Sequence, residues 1–363
     1  MADLTATIIT CNEGQTIQAC LKSLTWVKEI IIVDSGSSDR TIEICRDYTD
    51  KIFHHPWVGF VEQKNFAVSL ATHDWILNLD ADERVPEELR LAIERELSAP
   101  RYNGYWIARR NYFLGRWMRH GGWYPDRVLR LFNRRTGRFG GINPHAYFVM
   151  SEGPVGFLNG DLVHLTYRDF SQFIRKQDCY TGISVEGMVE NGRRRRSVGS
   201  AELMLRPMVK FVQVYLLKRG FLDGMQGLIA ALGAACFNFI KYAKLWEAGL
   251  SEEPGEGTED RQARRHSPTK QPVVGEGAGS ISGYVQRMDR DSTSQARALQ
   301  QEGTRVSPLD LLFRPPSVFL ERYLRQGGIL KGRRGLTLAG LYAGHTFVTY
   351  AKLWERYRVN RDV

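Results

Sequence analysis

Leu77-Asn78-Leu79-Asp80-Ala81-Asp82-Glu83 decides the fold, because an apolar run ends here in two carboxylates separated by one residue. The run, which begins at Trp75, is typical of a strand buried on both faces of a sheet. Carboxylates at this spacing suit a hard divalent cation such as Mg²⁺ or Mn²⁺, which keeps positions open for phosphate oxygens. The triplet alone favours the alternative of a solvated turn or helix cap before Pro86. The residues around the triplet therefore have to distinguish a metal site from a turn or cap.

Short β-branched runs alternate with helical segments on both sides of this strand. Such alternation predicts βαβ units and a mostly parallel sheet, and hence an α/β fold class. In sheets of this kind ligands bind at the carboxyl ends of the strands, where this sequence carries acidic and small residues. The predicted strands are residues 5–10, 29–34 and 75–80, and the predicted helices are residues 16–24, 41–48, 61–70 and 87–97.

The first two predicted strands also end in polar residues. Thr10-Cys11-Asn12-Glu13 follows the first strand, and Asp34-Ser35-Gly36-Ser37-Ser38-Asp39 follows the second. Their acids and amides can hydrogen-bond a nucleobase and ribose, and Gly36 lets the chain turn closely past a ligand. Asp39 is interpreted as a cap of the helix that begins near Arg40. Asp34 is the better candidate for a ligand contact.

Composition limits the cellular setting. The five cysteines are odd in number and lack the paired spacing of a zinc site or disulfide framework, which fits a reducing cytoplasm. The N-terminal residues lack a secretion-signal pattern. The longest apolar stretch, residues 227–240, is shorter than the roughly 20 residues that span a bilayer, so no transmembrane helix is expected. A formal charge of +10 suggests a polyanionic neighbour, either nucleic acid or an anionic lipid surface.

The C-terminal half contains a repeat. Residues 206–247 align without gaps to residues 314–355, and both copies end in Tyr-Ala-Lys-Leu-Trp-Glu. Apolar residues recur at helical spacing with basic residues elsewhere on the circumference, which predicts a duplicated, amphipathic helical hairpin. One interpretation places the hairpins in the plane of an anionic membrane. The alternative is packing against the rest of the chain or a second subunit.

Taken in order, the motifs resemble the family 2 glycosyltransferases. The resemblance covers roughly residues 6–247 and implies a GT-A (nucleotide-diphospho-sugar transferase) fold, a Rossmann-like mixed sheet flanked by helices, with amphipathic helices following. The motifs are Thr-Cys-Asn-Glu at 10–13, Val-Asp-Ser-Gly-Ser-Ser-Asp at 33–39, Gln-Lys-Asn at 63–65 and Leu-Asp-Ala-Asp-Glu at 79–83. Trp-Tyr-Pro-Asp at 123–126, Arg-Leu-Phe at 130–132 and Leu-Val-His-Leu-Thr-Tyr at 162–167 resemble the lipopolysaccharide-core β-1,4-glucosyltransferase branch.

The resemblance implies a role for each matching residue. Asp126 would be the general base of an inverting transfer, with a capping residue after Pro125 as the local alternative. Contacts to the nucleotide-sugar would come from Thr10, Asn12, Glu13, Asp34, Lys64 and Asp80. Mn²⁺ or Mg²⁺ would be held by Asp80, Asp82 and His164, although His164 has the alternative of a hydrogen-bonded strand histidine. Relatives carry His-Glu where this chain has His145-Ala146, which leaves His145 as an acceptor contact or an alternative metal ligand.

Other polar and aromatic residues have open interpretations. Trp117, Trp123 and Tyr124 form either a sugar-stacking shelf or part of the core. The arginines Arg127, Arg130 and Arg134 are either phosphate contacts or, by default, solvated. Both sets lie in the half of the predicted catalytic domain that we assign to the acceptor.

The expected protein is an inverting hexosyltransferase that moves glucose from UDP-glucose onto a lipopolysaccharide-core or other cell-envelope glycan. We expect it at the inner face of the cytoplasmic membrane, with a nucleotide-sugar, a glycolipid acceptor, an anionic membrane surface and, in one interpretation, a second copy as partners. Nucleic acid is not expected, because no nucleic-acid-binding motif accompanies the four arginines at 193–196. One alternative is a metal-dependent nucleotidyltransferase, although this sequence lacks the Gly-rich, basic N-terminal signature of that class. The other is a non-catalytic basic protein that binds membranes or nucleic acid.

Four segments are predicted. Residues 1–170 form the GT-A catalytic domain, divided into a nucleotide-sugar half (1–113) and an acceptor and metal half (114–170). Residues 171–250 form a helical docking segment, and residues 281–363 form its second copy. Residues 251–280 are rich in Gly, Glu, Pro and Ser and lack periodic apolar residues, so they are predicted to be a flexible linker.

Overall fold

A computed structural model describes residues 3–143, 145–190, 198–250 and 279–359 of the chain. The chain divides into two compact units, Met1–Thr166 and Tyr167–Val363. The predicted linker lies outside the described residues except for its last two positions, and the four arginines at 193–196 also lie outside them.

The first unit alternates strands and helices and then becomes mostly strand. All seven elements predicted between residues 5 and 97 are confirmed to within two residues at each end, and the short strands β3 and β5 are additions. The helices are α1 (Ile17–Lys22), α2 (Thr41–Arg46), α3 (Phe60–Ser69) and α4 (Glu87–Ser98). The strands are β1 (Leu4–Thr10), β2 (Glu29–Asp34), β3 (Ile52–His54), β4 (Trp75–Asp80), β5 (Glu83–Arg84), β6 (Gly104–Phe113), β7 (Arg116–Trp117), β8 (Asp126–Asn133), β9 (Gly137–Ile142), β10 (His145–Met150) and β11 (Val155–Tyr167).

A mixed sheet forms the centre of this unit. Its order is β3-β2-β1-β4-β8-β6-β11-β5, with β7 paired to β6, while β9 and β10 form a separate pair. The pairs β2–β3, β1–β2 and β1–β4 are parallel, whereas β4–β8, β6–β8 and β5–β11 are antiparallel. Alternate residues of the central strands enter two different hydrophobic clusters, with Ile32 and Leu77 in one and Ile31 and Ile76 in the other. The central strands are therefore buried on both faces, as predicted.

Strand register brings the predicted site residues to one edge of the sheet. In the parallel pair β1–β2, Thr10 lies opposite Asp34, and in the pair β1–β4, Ile9 lies opposite Asp80. Because parallel strands share a direction, their carboxyl ends meet at the same edge. The polar residues that follow these strands in sequence are therefore neighbours in space.

The second unit is helical and repeats itself turn by turn. It contains α5 (Phe170–Glu190), α6 (Ser200–Val212), α7 (Gly224–Leu250), α8 (Ile281–Gln301), α9 (Pro308–Leu320) and α10 (Gly332–Val359). A π-helical turn and a 3₁₀ turn connect α6 to α7 (Gln213–Leu217 and Gly220–Asp223), and the same two turns connect α9 to α10 (Glu321–Arg325 and Gly328–Lys331). The duplicated helical hairpin predicted from the sequence is thus present.

Close backbone approach fixes the same glycine pair in both hairpins. A Cβ atom on Gly227 would lie 1.9 Å from the carbonyl oxygen of Gly220. The aligned pair behaves alike, since a Cβ atom on Gly335 would lie 1.8 Å from the carbonyl oxygen of Gly328. Both distances are shorter than van der Waals contact, so each hairpin requires glycine at the start of its second long helix.

A buried lysine extends the repeat to the helix that precedes each hairpin. One lysine lies on α7 and the other on α10. Each donates hydrogen bonds to the carbonyl oxygen and carboxylate of an aspartate and to a threonine hydroxyl, and these partners lie on α5 and α8, respectively. The sets are Lys244 with Asp178 and Thr181, and Lys352 with Asp289 and Thr293. The repeating unit therefore has three helices, α5–α7 and α8–α10.

Two glutamates relate the copies reciprocally. Glu247 of the first copy accepts a hydrogen bond from the backbone N–H of Ile281, which begins the second copy. Glu355 of the second copy accepts one from the backbone N–H of Phe170, which begins the first. Each copy thus contacts the start of the other in the same way, which is the reciprocity of an isologous pair, so the second unit is an intrachain pair of similar halves.

One helical stretch among the described residues, Gly220–Leu250, is long and apolar enough to cross a membrane, with a mean hydropathy of 1.4. This is longer than the apolar stretch recognised in the sequence. Core helices of proteins outside membranes can have the same length and apolar composition. In the structure, 56% of the most apolar part of this helix is buried. The hydrogen-bonded Lys244 in the same helix is characteristic of such a core.

Candidate active site

The carboxylate of Asp80 is held between two buried cations. Its Oδ1 atom lies 2.7 Å from Nζ of Lys64, and its Oδ2 atom accepts a hydrogen bond from Arg130. Burial by itself would raise the pKa of Asp80, but Arg130 and Lys64 outweigh it and hold this pKa well below its usual range. Burial also lowers the pKa of Lys64. Asp80 is therefore an ionised carboxylate that is already paired.

Glu83, the last residue of the acidic segment, joins two arginines in the interior. Its side chain is fully buried, and its Oε1 atom lies 3.1 Å from Nη1 of Arg109 and 2.8 Å from Nη2 of Arg130. Its Oε2 atom accepts the backbone N–H of Asp80 at 3.0 Å. Sequence reasoning gave Glu83 no role, yet this side chain fixes both arginines. Arg130 is consequently not the solvated residue that was the default expectation.

Asp126 is the first residue of β8, and its carboxylate is hydrogen-bonded through one of its two oxygens. Its Oδ2 atom accepts hydrogen bonds from Nε and Nη2 of Arg109, at 2.9 and 2.7 Å, and from Nδ2 of Asn111 at 2.9 Å. Among the described residues, none is hydrogen-bonded to the Oδ1 atom. The side chain is about one-third exposed (31%). The carboxylate is thus oriented by three N–H donors through Oδ2, which leaves Oδ1 free of hydrogen bonds within the described chain, and the alternative of a helix cap is wrong because a strand begins here.

His164 is oriented by the same asparagine. Nδ2 of Asn111 donates to the carbonyl oxygen of Trp123 and to Asp126, both at 2.9 Å, which identifies its Oδ1 as the acceptor. That oxygen lies 2.6 Å from Nδ1 of His164, so Nδ1 carries the proton and donates it. In a neutral imidazole the lone pair would then be on Nε2, which lies 3.4 Å from Oδ1 of Asp82.

Asp82 and His164 together form the part of the structure that fits a divalent metal ion. Both side chains are nearly buried, at 11% and 13% exposed, and a histidine that ligates a metal usually donates its other ring N–H, as this one does. Within the described residues there is no cluster of three or more His, Cys, Asp or Glu side chains arranged for a metal. Asp80, the third predicted ligand, is turned to Lys64 and Arg130 instead. The remaining ligands would be phosphate oxygens and water.

The loop after β2 is shaped by its own polar residues. Oδ2 of Asp34 accepts the backbone N–H groups of Gly36 and Ser37, both at 2.9 Å, and Gly36 has a φ of +101° that glycine adopts without strain. Asp39 accepts the N–H of Thr41, the first residue of α2, at 2.9 Å. Asp39 therefore accepts the first N–H of this helix from the position before its N-cap residue, Arg40, and Asp34 determines the path of the loop beside the sheet edge.

The loop after β1 interlocks with it. Oδ1 of Asn12 accepts the N–H of Ser38 at 2.8 Å, and the Asn12 backbone N–H donates to the Ser37 hydroxyl. Glu13 accepts the hydroxyl of Thr16 at 2.7 Å. The hydroxyl of Thr10 is buried and has no hydrogen-bond partner within the described part of the chain. Among the residues predicted to contact the nucleotide-sugar at this edge, Thr10 is thus the one whose buried side-chain oxygen lacks a hydrogen-bond partner in the described part of the chain.

The aromatic residues of the acceptor half are divided between two surroundings. Trp117 is covered by two arginines, with Cζ of Arg119 4.3 Å and Cζ of Arg110 5.3 Å from the ring centroid. Trp123 packs beside Phe113 at 5.5 Å between ring centroids. Trp117 also packs edge-on against Tyr124 at 5.4 Å between ring centroids, so its surroundings are both cationic and aromatic. The side chain of His145 lies outside the described residues.

Sequence comparison decides the family. The sequence profile of glycosyl transferase family 2 matches residues 5–152. The lipopolysaccharide core biosynthesis glycosyltransferase LpsC of Rhizobium meliloti is 32% identical over 256 residues, which cover 67% of this chain and 92% of LpsC. The chain belongs to glycosyltransferase family 2. An uncharacterized glycosyltransferase of Rickettsia typhi, RT0209, is 29% identical over 262 residues, covering 69% of this chain and 89% of that relative.

Solved structures with partial similarity include glucosyl-3-phosphoglycerate synthase of Mycobacterium tuberculosis in complex with Mg²⁺ and UDP. The matched region covers 30% of this chain and 44% of that chain, with 18% identity and a TM-score of 0.27. The same enzyme has also been solved with Mn²⁺ and UDP-glucose, and this structure matches with 17% identity and a TM-score of 0.26 over 31% of this chain and 44% of that chain.

As a member of family 2 this protein is a glycosyltransferase, and its mixed sheet with flanking and C-terminal helices is the GT-A fold expected from the sequence. The nucleotidyltransferase and the non-catalytic protein, kept as alternatives, are therefore wrong. Sequence reasoning missed Arg109 and Asn111. The signal was present, because these two residues are separated by one position in β6 and must face the same side of the sheet as each other.

Proposed function

We propose that this glycosyltransferase moves glucose from UDP-glucose onto a lipopolysaccharide-core or other cell-envelope glycan, with inversion at the anomeric carbon. The donor rests on the resemblance of the motifs at 123–126 and 162–167 to glucosyltransferases. The acceptor class rests on the role of LpsC in lipopolysaccharide core biosynthesis, since LpsC is aligned over 92% of its length. A glycolipid acceptor would place the enzyme at the inner face of the cytoplasmic membrane.

One observation carries the proposal, namely that Asn111 hydrogen-bonds both Asp126 and His164. The candidate base and the candidate metal-binding histidine are therefore fixed by one amide. A transferase that activates a hydroxyl and neutralises a leaving diphosphate needs these two functions at a defined separation.

The proposed reaction is a single displacement. An acceptor hydroxyl oxygen bonds to the anomeric carbon while the bond from that carbon to the diphosphate oxygen breaks, and UDP leaves with the electron pair. The hydroxyl proton passes to Oδ1 of Asp126, which Arg109 and Asn111 hold in position through Oδ2. No second carboxylate nucleophile is required, which is why the product should have the inverted configuration.

The residues that would hold the metal are Asp82 and His164, and a bound cation would offset negative charge on the departing diphosphate. A nitrogen ligand beside a carboxylate favours Mn²⁺ over Mg²⁺, because Mg²⁺ strongly prefers oxygen ligands. Lys64 and Arg130 hold Asp80 at the same strand end, where its ionised carboxylate would accept hydrogen bonds from a ribose. Thr10, with its unsatisfied buried hydroxyl, would contact the nucleotide.

A transfer assay tests this proposal. The full chain would be incubated with UDP-glucose, UDP-galactose or GDP-mannose, with and without Mn²⁺, and with a deacylated lipopolysaccharide-core oligosaccharide as acceptor. We expect Mn²⁺-dependent transfer from UDP-glucose and a β-linked product by NMR. An α-linked product would exclude the inverting mechanism, and transfer from a different donor alone would exclude glucose.

Two matched aspartates provide the control. Asp82→Asn removes the candidate metal ligand, while Asp161→Asn changes an equally buried aspartate that pairs with Arg110 at 2.7 Å. Arg110 follows Arg109 in β6 and so faces the other side of the sheet. We expect Asp82→Asn to lose Mn²⁺-dependent turnover and Asp161→Asn to retain it. Equal activity of the two variants would remove Asp82 from the site.

A further inference from the structure

The two hairpins of the second unit expose apolar side chains at equivalent positions. Five aligned pairs carry large apolar residues, and every member is between 41% and 90% exposed. The residue types differ in three of the five pairs, yet the apolar character and exposure are kept. The pairs are Leu205 and Phe313, Val212 and Leu320, Leu216 and Leu324, Phe221 and Ile329, and Leu222 and Leu330.

Such side chains do little for the stability of the unit, because they remain in contact with solvent. Contiguous exposed apolar residues normally mark a site of interaction with another molecule or a membrane. The two copies have diverged in sequence, so chance retention of five exposed apolar pairs is a poor explanation. The same ligand acting on both copies accounts for it directly.

Basic residues surround these apolar side chains where each hairpin turns. We call residues 218–222 and 325–331 the paired hairpin tips. Lys218 and Arg219 precede the exposed Phe221 and Leu222, and in the second tip the exposed Arg325 and Lys331, at other aligned positions, stand before and after the exposed Ile329 and Leu330. Asp223, the acidic residue beside the first tip, is only 1% exposed. The tips therefore present apolar side chains within a positive surface, as peripheral membrane-binding segments do.

The reciprocal contacts of Glu247 and Glu355 are those of two copies related by an approximate two-fold axis, and we infer that this axis also relates the tips. Points related by such an axis lie at the same height along it, so a plane normal to the axis that touches one tip also touches the other. A bilayer surface is flat on this scale, so it can contact both tips at once wherever the protein binds. A protein partner would need to present two copies of the same binding surface.

We propose that the paired hairpin tips insert their apolar side chains into an anionic lipid surface while their lysines and arginines contact the headgroups. This deepens the proposed function and rests on it, since a glycolipid acceptor is what makes a membrane position useful to the enzyme. Two weak insertions in one rigid unit reinforce each other, because the second occurs at a high effective concentration.

Vesicle flotation with the full chain tests the proposal. The vesicles contain either phosphatidylglycerol with phosphatidylethanolamine, or phosphatidylcholine alone. The first tip is altered by Phe221→Ser with Leu222→Ser, and the second by Ile329→Ser with Leu330→Ser. The control replaces two exposed apolar residues of the first unit, Leu91→Ser with Phe157→Ser. Circular dichroism checks that every variant is folded.

We expect the wild type and the control to float with the anionic vesicles and hardly at all with phosphatidylcholine. Each single-tip variant should need about ten-fold more lipid, and the variant altered at both tips should not float. Wild-type protein that stays at the bottom of the gradient, or a double-tip variant that floats normally, overturns the proposal. So does a dimer in sedimentation velocity that the double-tip variant abolishes, because the tips would then bind a second copy.

Transfer to the soluble oligosaccharide separates this proposal from the proposed function. Tip variants should retain wild-type turnover on that acceptor, since it does not require a membrane. A wild-type protein that floats but transfers no sugar to this acceptor would leave the docking surface standing and refute the proposed function. A protein that transfers sugar but does not float would do the reverse.

Discussion

The amide oxygen of Asn111 lies 2.6 Å from Nδ1 of His164. This contact places the imidazole proton on Nδ1 and directs the Nε2 lone pair to the side where Asp82 lies. Because the Asn111 amide nitrogen also donates to Asp126, small movements of this one side chain would displace both functional groups. Asn111 is therefore a positioning residue, and its replacement has a distinctive expected outcome.

Asn111→Ala should weaken Mn²⁺ binding by about 10–100-fold and lower kcat at saturating Mn²⁺. The first effect follows from the loss of the His164 orientation, and the second from the loss of the Asp126 contact. Mn²⁺ titrations monitored by turnover, with kcat measured at saturation, distinguish the two. A purely structural role would instead lower the fraction of active enzyme and leave the apparent Mn²⁺ affinity unchanged.

Asp126→Asn should reduce kcat by about 10²–10⁴-fold, because an amide cannot take up the proton of the attacking sugar hydroxyl. The KM for the nucleotide-sugar should change little, since the Asp126 contacts are to Arg109 and Asn111 rather than to the residues at the carboxyl ends of β1 and β2. Steady-state kinetics at saturating acceptor provides the measurement. Parallel loss of donor binding would show that Asp126 positions the donor instead.

Arg130→Met should lower the free energy of unfolding by about 3–5 kcal/mol, because it removes the buried cation that Glu83 and Asp80 share and leaves them with Arg109 and Lys64 alone. Arg135→Met is the matched control, since Arg135 is 74% exposed and pairs with Asp74 on the surface. That change should cost less than about 1 kcal/mol. Urea denaturation of both variants gives the comparison, and similar losses would contradict a buried network.

Glu355→Gln should change the pH dependence of stability. Burial raises the pKa of Glu355 to about 7, with Asp169 adding to this and the Phe170 N–H, Lys352 and Arg356 opposing it. The folded protein therefore binds this proton more tightly than the unfolded chain, and the stabilisation, complete below the unfolded pKa, is lost as the pH rises through the folded pKa. Glutamine can still accept the Phe170 N–H but cannot ionise.

The melting temperature of the glutamine variant relative to wild type should therefore rise between about pH 5 and about pH 8. Thermal unfolding across this range at constant ionic strength measures the difference. A difference that stays constant with pH would mean that Glu355 titrates near the ordinary glutamate pKa in the folded protein.

Gly227→Ala should destabilise the first hairpin by about 1–3 kcal/mol, because the new Cβ would meet the carbonyl oxygen of Gly220. Gly249→Ala is the matched control in the same helix, since its Cβ would have no atom within 4 Å. Alanine is the better helix former, so this change should stabilise the protein by up to about 1 kcal/mol. Opposite shifts in denaturation midpoint are expected, and equal shifts would argue against the close backbone approach.

The sequence by itself determined the βαβ half of the first unit, the duplication of the hairpin and the place of the acidic segment at a strand end. These features are local, because hydrophobic periodicity and turn residues act over a few positions of the chain. The motif order was sufficient to indicate the family. It could not show that Asp80 pairs with Lys64 and Arg130, because these partners come from three separate elements.

Only the tertiary structure decided which side chains meet. Strand pairing of β6 with β8 brings Arg109 opposite Asp126, and the residue two positions later, Asn111, then reaches both Asp126 and His164. The reciprocal glutamate caps of the second unit likewise join residues more than thirty positions apart. Contacts of this kind depend on register and on the packing of distant elements, and neither is specified by the composition or spacing of a single segment.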